Sequence, residues 1–224
     1  LKDFFDKSKA NMSVKKSMNL KSNAMKPLFD GLITVYLYAD DEKEIVDGIT
    51  FLKGYGINKI VIVGATESKN QLNFIKENNI PVVVKQPYRF PQSTDSDPME
   101  TFEIAKRMLD HGILVSIDPT GTASARVSIR NLPFYAGSFS SFGIDKEIAL
   151  SLITLNPAKI LGIDKDFGTL ELGKSATLFV SSGDALDIIS NDVTHAFISG
   201  RGLSLETHQT RLWRRYSNKY SDSQ

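Results

Sequence analysis

Four short runs of apolar, mostly β-branched residues, each followed by a segment of helical periodicity, limit most strongly what this chain can fold into. The runs are 32–38, 59–63, 82–84 and 113–117. None of them shows the alternation of polar and apolar residues that marks a strand with one solvated face. The pattern therefore predicts parallel strands that are buried on both faces and joined by right-handed helical crossovers, which is an α/β architecture.

Four parallel strands alone would form an open sheet with two unpaired edges and an uncovered apolar face, and such edges invite association. Eight strands instead close into a barrel whose interior is filled by side chains. We therefore expect residues 31–165 to be the C-terminal half of a (β/α)8 TIM-like barrel. The first residue is Leu1 rather than methionine, and we expect an N-terminal half-barrel from the same gene product or from another chain. The alternative is a small doubly wound sheet that is complete in itself.

The segments on either side of these units have different patterns. Residues 1–30 predict a lysine-rich N-terminal helix and a linker, with a thin apolar stripe that includes Val14 and Met18. Short strand patterns at 166–206 predict a small β-sandwich element. Residues 207–224 predict an amphipathic helix with aromatic side chains between basic ones. We expect this helix to dock on the body through its aromatics, in preference to binding nucleic acid.

Composition excludes several classes of function. The chain has 27 lysines and arginines against 26 aspartates and glutamates, so its charge indicates neither nucleic acid nor a membrane as a partner. The absence of cysteine excludes disulfides and thiolate chemistry and leaves both cytoplasm and periplasm open. No apolar run approaches the roughly 18 residues of a membrane span. Neither a Gly-x-Ser-x-Gly turn nor a glycine-rich phosphate loop occurs.

Three stretches carry a resemblance to a known family. They are NLPFYAG at 131–137, IALSLITLNPAKILG at 148–162 and GTLELGKSATLF at 168–179. In order and spacing they resemble the amidohydrolase superfamily, and most closely its imidazolonepropionase-like members. The resemblance implies a (β/α)8 barrel framed by a small β-domain. It also implies hydrolysis of amide, cyclic amide or related C–N bonds in a small-molecule substrate.

The resemblance further implies one or two divalent metals, zinc or a similar ion. In the family they are held by a His-x-His pair on the first strand, a central lysine or glutamate, histidines ending the fifth and sixth strands, and an aspartate ending the eighth. If 32–38 is the fifth strand, the first of these ligands lie outside this sequence. Asp40 and Glu67 follow the first two runs where histidines would stand, and they are the candidate metal ligands here. Their alternative roles are a helix cap and a first-turn residue.

After the fourth run, Asp118 is the candidate catalytic residue. The resemblance implies an aspartate at the end of the eighth strand that takes a proton from metal-activated water, and Asp118 would be that residue shifted by two positions. Alignment on Gly112 instead places Thr120 at the position of the family's aspartate, and we assign Thr120 to substrate binding. The alternative is that Asp118 only begins the turn at Pro119.

The loop from Gln86 to Asp97 follows the third run, so it should lie at the rim, the end of the barrel formed by the carboxyl ends of the strands. Long loops in compact domains are often functional. We expect Arg89 to hold a substrate carboxylate while Tyr88 excludes water. Arg130 and Asn131, which arrive after the fourth run, are expected to serve in the same way. Surface ion pairing is the alternative for both arginines.

The histidines His111, His195 and His208 all fit structural roles better than metal binding. We therefore carry two hypotheses. The first is a hydrolase of C–N bonds other than peptide bonds, competent only with the other half of the barrel and assembled as a homo-oligomer. The second is a metal-free barrel homologue that acts as a binding or scaffolding partner of an active relative.

Overall fold

The computed structural model describes residues 1–12, 19–90, 96–120 and 125–221. The strands of its larger sheet are β1 (Val35–Ala39), β2 (Ile60–Gly64), β3 (Val82–Lys85) and β4 (Val115–Asp118). They pair in chain order, and every pair is parallel. This confirms the predicted parallel α/β sheet. The first strand begins at Val35 and not at residue 32, and the Leu32 side chain is exposed.

The helices follow the strands as predicted. They are α1 (Lys2–Met12), α2 (Leu20–Ala24), α3 (Lys26–Phe29), α4 (Glu42–Gly54), α5 (Leu72–Glu77), α6 (Glu100–Asp110), α7 (Ala125–Ser128), α8 (Leu132–Ser141), α9 (Lys146–Ser151), α10 (Leu155–Leu161) and α11 (His208–Ser221), with a 3-10 turn at Ile129–Asn131. Asp41 caps α4, since its carboxylate accepts hydrogen bonds from the backbone N–H groups of Lys43 and Glu44. Among the described residues, no helix has the length and apolarity needed to cross a membrane.

The core lies between the helices and one face of the sheet. Ile62, Val84 and Val115 from the strands pack there with Ile49 of α4 and Met108 of α6, and all of these side chains are fully buried. Each of these aliphatic side chains contributes on the order of 1.5–3 kcal/mol by leaving water. This burial fixes the helices against one face of the sheet.

The opposite face of the sheet is buried at β2, where Val61 and Val63 are 3% and 6% exposed, but it is open at β1, so the predicted burial of every strand on both faces is wrong for β1. Tyr36 and Tyr38 of β1 are 39% and 77% exposed there. Together with Val63 and Val83 they line a shallow cavity of about 280 Å³ that Asp118 reaches from β4. A doubly wound sheet would cover both faces with helices, so this asymmetry favours consecutive units of a barrel.

Two buried polar groups fasten the helices after β4 to that strand. Asn156 of α10 donates from Nδ2 to the Val115 carbonyl over 2.8 Å, and the Ser116 hydroxyl donates to the Leu152 carbonyl over 3.0 Å. The sequence alone suggests that Asn156 and Pro157 separate two helices. In the structure both lie inside α10, where proline is tolerated in the first turn because its missing N–H has no intrahelical partner.

The flanking segments bear out the predicted elements with one correction. Strands β5 (Leu178–Ser181), β6 (Val193–Ile198) and β7 (Arg201–Gly202) form one three-stranded antiparallel sheet. Helix α11 follows it, but the expectation that its aromatics dock on the body is wrong, because Trp213 is 69% and Tyr220 65% exposed. Near the N-terminus Phe5 of α1 is buried. The predicted stripe residues Val14 and Met18 lie outside the described residues.

Candidate functional site

The carboxyl ends of β1, β2 and β3 meet at one carboxylate, that of Asp40. Its Oδ1 accepts hydrogen bonds from the Thr66 hydroxyl over 2.5 Å and from the Thr66 backbone N–H over 3.4 Å. Its Oδ2 forms an ion pair with the Lys85 ammonium. Thr66 follows β2 and Lys85 ends β3, so this cluster, Asp40, Thr66 and Lys85, joins three neighbouring strands.

The backbone at the end of β2 is shaped around this carboxylate. Gly64 has φ +114° and Ala65 has φ +54°, so two successive residues leave the β region. This turn lets the Ala65 N–H donate to the Ala39 carbonyl over 2.8 Å, and the Glu67 N–H donate to the Asp40 carbonyl over 2.9 Å. A non-glycine residue at positive φ is uncommon and is kept only where its surroundings hold it, as here.

The cluster also sets the charge state of Asp40. Burial by itself would raise the pKa of the Asp40 carboxyl, but the hydrogen bonds from Lys85 and Thr66 and the positive charge of Lys85 outweigh it. The pKa of this carboxyl therefore lies below its ordinary value of 3.8. Asp40 is consequently an anion at neutral pH, held against a partly buried cation.

A second cation, Arg89, lies close enough to interact with this anion. Burial lowers the pKa of the Arg89 guanidinium, while the charges of Asp40 and Glu100 act in the opposite direction. Its Nε is buried and has no hydrogen-bond partner among the described residues. Arg89 is therefore a partly buried cation within electrostatic reach of the Asp40 carboxylate.

Asp118 occupies the carboxyl end of β4, beside Lys85 in the strand register. Its Oδ1 accepts hydrogen bonds from the backbone N–H of Thr120, over 2.7 Å, and from the Thr120 hydroxyl. These bonds close the turn at Pro119, as the alternative interpretation of Asp118 expects. Asp118 and Thr120 also line the open cavity on the inner face, so the structure brings the candidate catalytic residue and its neighbour together.

The remaining candidates are divided between two places. Tyr88 and Asn131 line a larger cavity of about 830 Å³ between α8 and the loop around Leu186. The Tyr88 hydroxyl lies 2.7 Å from the Ser138 hydroxyl. Arg130 is exposed and does not line that cavity. The predicted recognition residues are therefore not gathered in one pocket.

The residues present do not fit a metal centre. Glu67 is exposed, and among the described residues it joins the rim only through its backbone N–H. Asp40 caps no helix, contrary to its alternative role, but both of its oxygens already have partners. Within the described ranges, no three histidine, cysteine, aspartate or glutamate side chains come together. His111 ends α6 with its Nδ1 2.7 Å from the Arg107 carbonyl, as a structural role requires.

Lys85 is the residue that sequence reasoning missed. It ends an otherwise purely apolar strand, and a charged residue there resembles an ordinary loop-flanking lysine. The signal that could have found it is the alternation of side chains between the two faces of a strand. In a strand, residues two apart share a face, so Lys85 shares the inner face with Val83.

Comparison with known proteins identifies the family. The model of the amidohydrolase family matches residues 28–202. The chain belongs to the amidohydrolase family. An imidazolonepropionase of Legionella pneumophila (strain Corby) is 26% identical over 116 residues, which are 52% of this chain and 27% of the relative. Members of the family typically use a divalent metal.

Solved structures show the same fold. An amidohydrolase from Thermotoga maritima MSB8 superposes with a TM-score of 0.78 and 25% identity, over 90% of this chain and 54% of that one. A Xaa-Pro dipeptidase with bound methionine in its active site shares the fold at 17% identity, with a TM-score of 0.60 over 81% of this chain and 47% of that one. These neighbours are TIM barrels, and the four parallel strands here are consistent with part of such a barrel. The chain spans about a quarter of its curated relative and about half of the solved structures.

Proposed function

We propose that this chain is the recognition half of a hydrolase that cleaves C–N bonds in small molecules bearing an anionic group. Family membership supports a hydrolase in general. The observation that carries the anionic substrate is a second cation near the rim, Arg89, which forms no ion pair among the described residues although it feels the charges of Asp40 and Glu100. Arg89 places a guanidinium near the end of the barrel where active sites lie, and its Nε has no hydrogen-bond partner among the described residues.

In this proposal each residue has a definite task. Arg89 binds a substrate carboxylate through its guanidinium, because its planar fork of donors matches the two carboxylate oxygens. Asp118, at the end of β4, accepts a proton from the water that attacks the carbonyl carbon and returns it to the nitrogen that leaves when the C–N bond breaks. The metal ligands expected for the family would come from the complementary half-barrel, and this half supplies binding and proton transfer.

The experiment uses protein that contains both barrel halves and a panel of cyclic and N-acylated amides in matched pairs, with and without a carboxylate. We expect turnover of the carboxylate-bearing members only. Arg89→Ala should lower kcat/KM by roughly 10- to 100-fold, as expected for a lost hydrogen bond to a charged group. Arg89→Lys, which keeps the charge without the fork, should recover part of this loss. Equal turnover of both members of each pair would contradict the assignment.

A second candidate is favoured by a separate observation, the absence of a metal-binding group among the described residues. In this alternative the barrel has lost its metals and serves as a binding or scaffolding partner of an active homologue. Metal analysis of the protein with both halves distinguishes the two. Stoichiometric zinc or a similar ion supports the enzyme, whereas none after reconstitution, together with no turnover across the panel, supports the binding protein.

A further inference from the structure

The ion pair between Lys85 and Asp40 crosses a strand. β2 lies between β1 and β3 in the sheet, so the Lys85 side chain reaches over the end of β2 to meet a carboxylate 45 residues earlier in the sequence. Both side chains are partly buried, at 28% and 29% exposed. The contact is therefore part of the inner rim of the sheet and not a solvated surface pair.

This arrangement conflicts with a metal ion at the same carboxylate. An ammonium and a divalent cation bound to one carboxylate would lie within a few ångströms of each other, where like charges repel strongly in a partly desolvated site. The other oxygen of Asp40 already accepts two hydrogen bonds from Thr66. A metal ion here would also lack further ligands, since the described residues place no group of metal-ligating side chains at this position.

The Lys85 ammonium can donate more hydrogen bonds than the one in this ion pair. A lysine ammonium carries three donors, and within the described ranges Lys85 uses one of them, toward Asp40. The strand register sets Asp118 beside Lys85 on β4. One fixed positive charge thus stands between carboxylates that end β1 and β4, in the region where a family member would carry a dication.

We propose that the Lys85 ammonium takes the place of a metal ion beside Asp40. Asp40 is then a positioning residue that ligates no metal. The carboxyl ends of β1, β2 and β3 are then held together by the charges of Asp40 and Lys85 and not by a bound metal ion. Any metal that the complete barrel binds must be held without Asp40. The inference does not depend on the proposed hydrolase activity, because it concerns metal binding and cohesion of the rim.

The test combines metal titration with a double-mutant cycle. Protein stripped with a chelator is titrated with Co²⁺, followed by visible absorption and calorimetry, for the wild type and for Asp40→Asn. We expect the same Co²⁺ stoichiometry and affinity, to within about twofold, in both. Loss of a stoichiometric Co²⁺ site in Asp40→Asn would overturn the proposal.

The cycle measures thermal unfolding of Lys85→Met, Asp40→Asn and the double variant, all without metal. Each single substitution should lower Tm, and the double variant should be no less stable than the poorer single one, because the two groups act as a unit. Lys106→Met is the matched control, since Lys106 forms a more exposed pair with Asp110 and its loss should lower Tm less. Additive effects of the two rim substitutions would refute the role of Lys85. The Co²⁺ titration and the unfolding cycle do not depend on activity, so both can be interpreted even if the protein hydrolyses no substrate.

Discussion

Gly64 and Asp40 fit together because Gly64 has no side chain. A Cβ built on Gly64 would lie 2.5 Å from Asp40 Oδ1 and 3.0 Å from the Ala39 carbonyl oxygen. The same residue has φ +114°, a conformation that L side chains rarely adopt. The glycine therefore makes room for the carboxylate that joins the ends of β1, β2 and β3.

Gly64→Ala should accordingly destabilise the protein and disturb the rim. We expect a loss of about 1–3 kcal/mol of unfolding free energy, from backbone strain at positive φ together with displacement of the Asp40 carboxylate. Urea unfolding followed by circular dichroism measures this change. Gly54→Ala is the control, because nothing lies within 4 Å of a Cβ there and its φ is not in the positive range. Equal stability of the two variants would show that Gly64 tolerates a side chain.

The stability of the rim should depend on pH in one direction. The pKa of the Asp40 carboxyl is lowered in the folded state, so its contribution is fully present above its ordinary pKa of 3.8 and is lost as the pH falls through the lower folded value. Wild type should therefore lose more stability than Asp40→Asn as the pH falls through and below 3.8. Urea midpoints of both proteins at each pH provide the measurement, since other carboxylates affect both alike. Parallel curves would contradict the pKa shift.

Asn156→Ala should weaken the attachment of α10 to β4. The substitution removes the donor to the Val115 carbonyl and leaves a buried acceptor unsatisfied, which typically costs about 1–3 kcal/mol. Asn218→Ala, on the exposed surface of α11, should change stability by less than about 0.5 kcal/mol. Chemical unfolding of the two variants compares them directly, and similar midpoints would argue against the hydrogen bond.

Trp213, the single tryptophan of the chain, reports on α11. Because its side chain is 69% exposed, we expect red-shifted emission and efficient quenching by acrylamide and by iodide in this chain. Blue-shifted, poorly quenched emission would mean that the helix docks through its aromatics after all. If a chain that supplies the proposed N-terminal half-barrel shields Trp213 when it is added, the aromatic face of α11 is part of that interface.

Several features of the molecule follow from local rules and could be predicted from the sequence. The apolar runs and helical spacings fixed the number, order and direction of the four parallel strands. The roles of Asp41 as a helix cap and of Gly162 as a helix end are likewise local, because they depend on side-chain chemistry and backbone freedom within one turn. Asp40 and Asp118 were recognisable as rim residues because each follows one of the apolar runs in the sequence.

Other features depend on residues distant in sequence. The partner of Asp40, Lys85, is 45 residues away and ends a different strand. The two meet only because the sheet places β1 and β3 on either side of β2, with their carboxyl ends at the same edge. Likewise, burial of Asn156 against Val115 depends on where α10 returns to the sheet. Sequence alone determined which elements form and which faces are apolar, because those depend on neighbours a few residues apart. The tertiary structure decided which charges meet, because electrostatic pairing depends on distance in space and not along the chain.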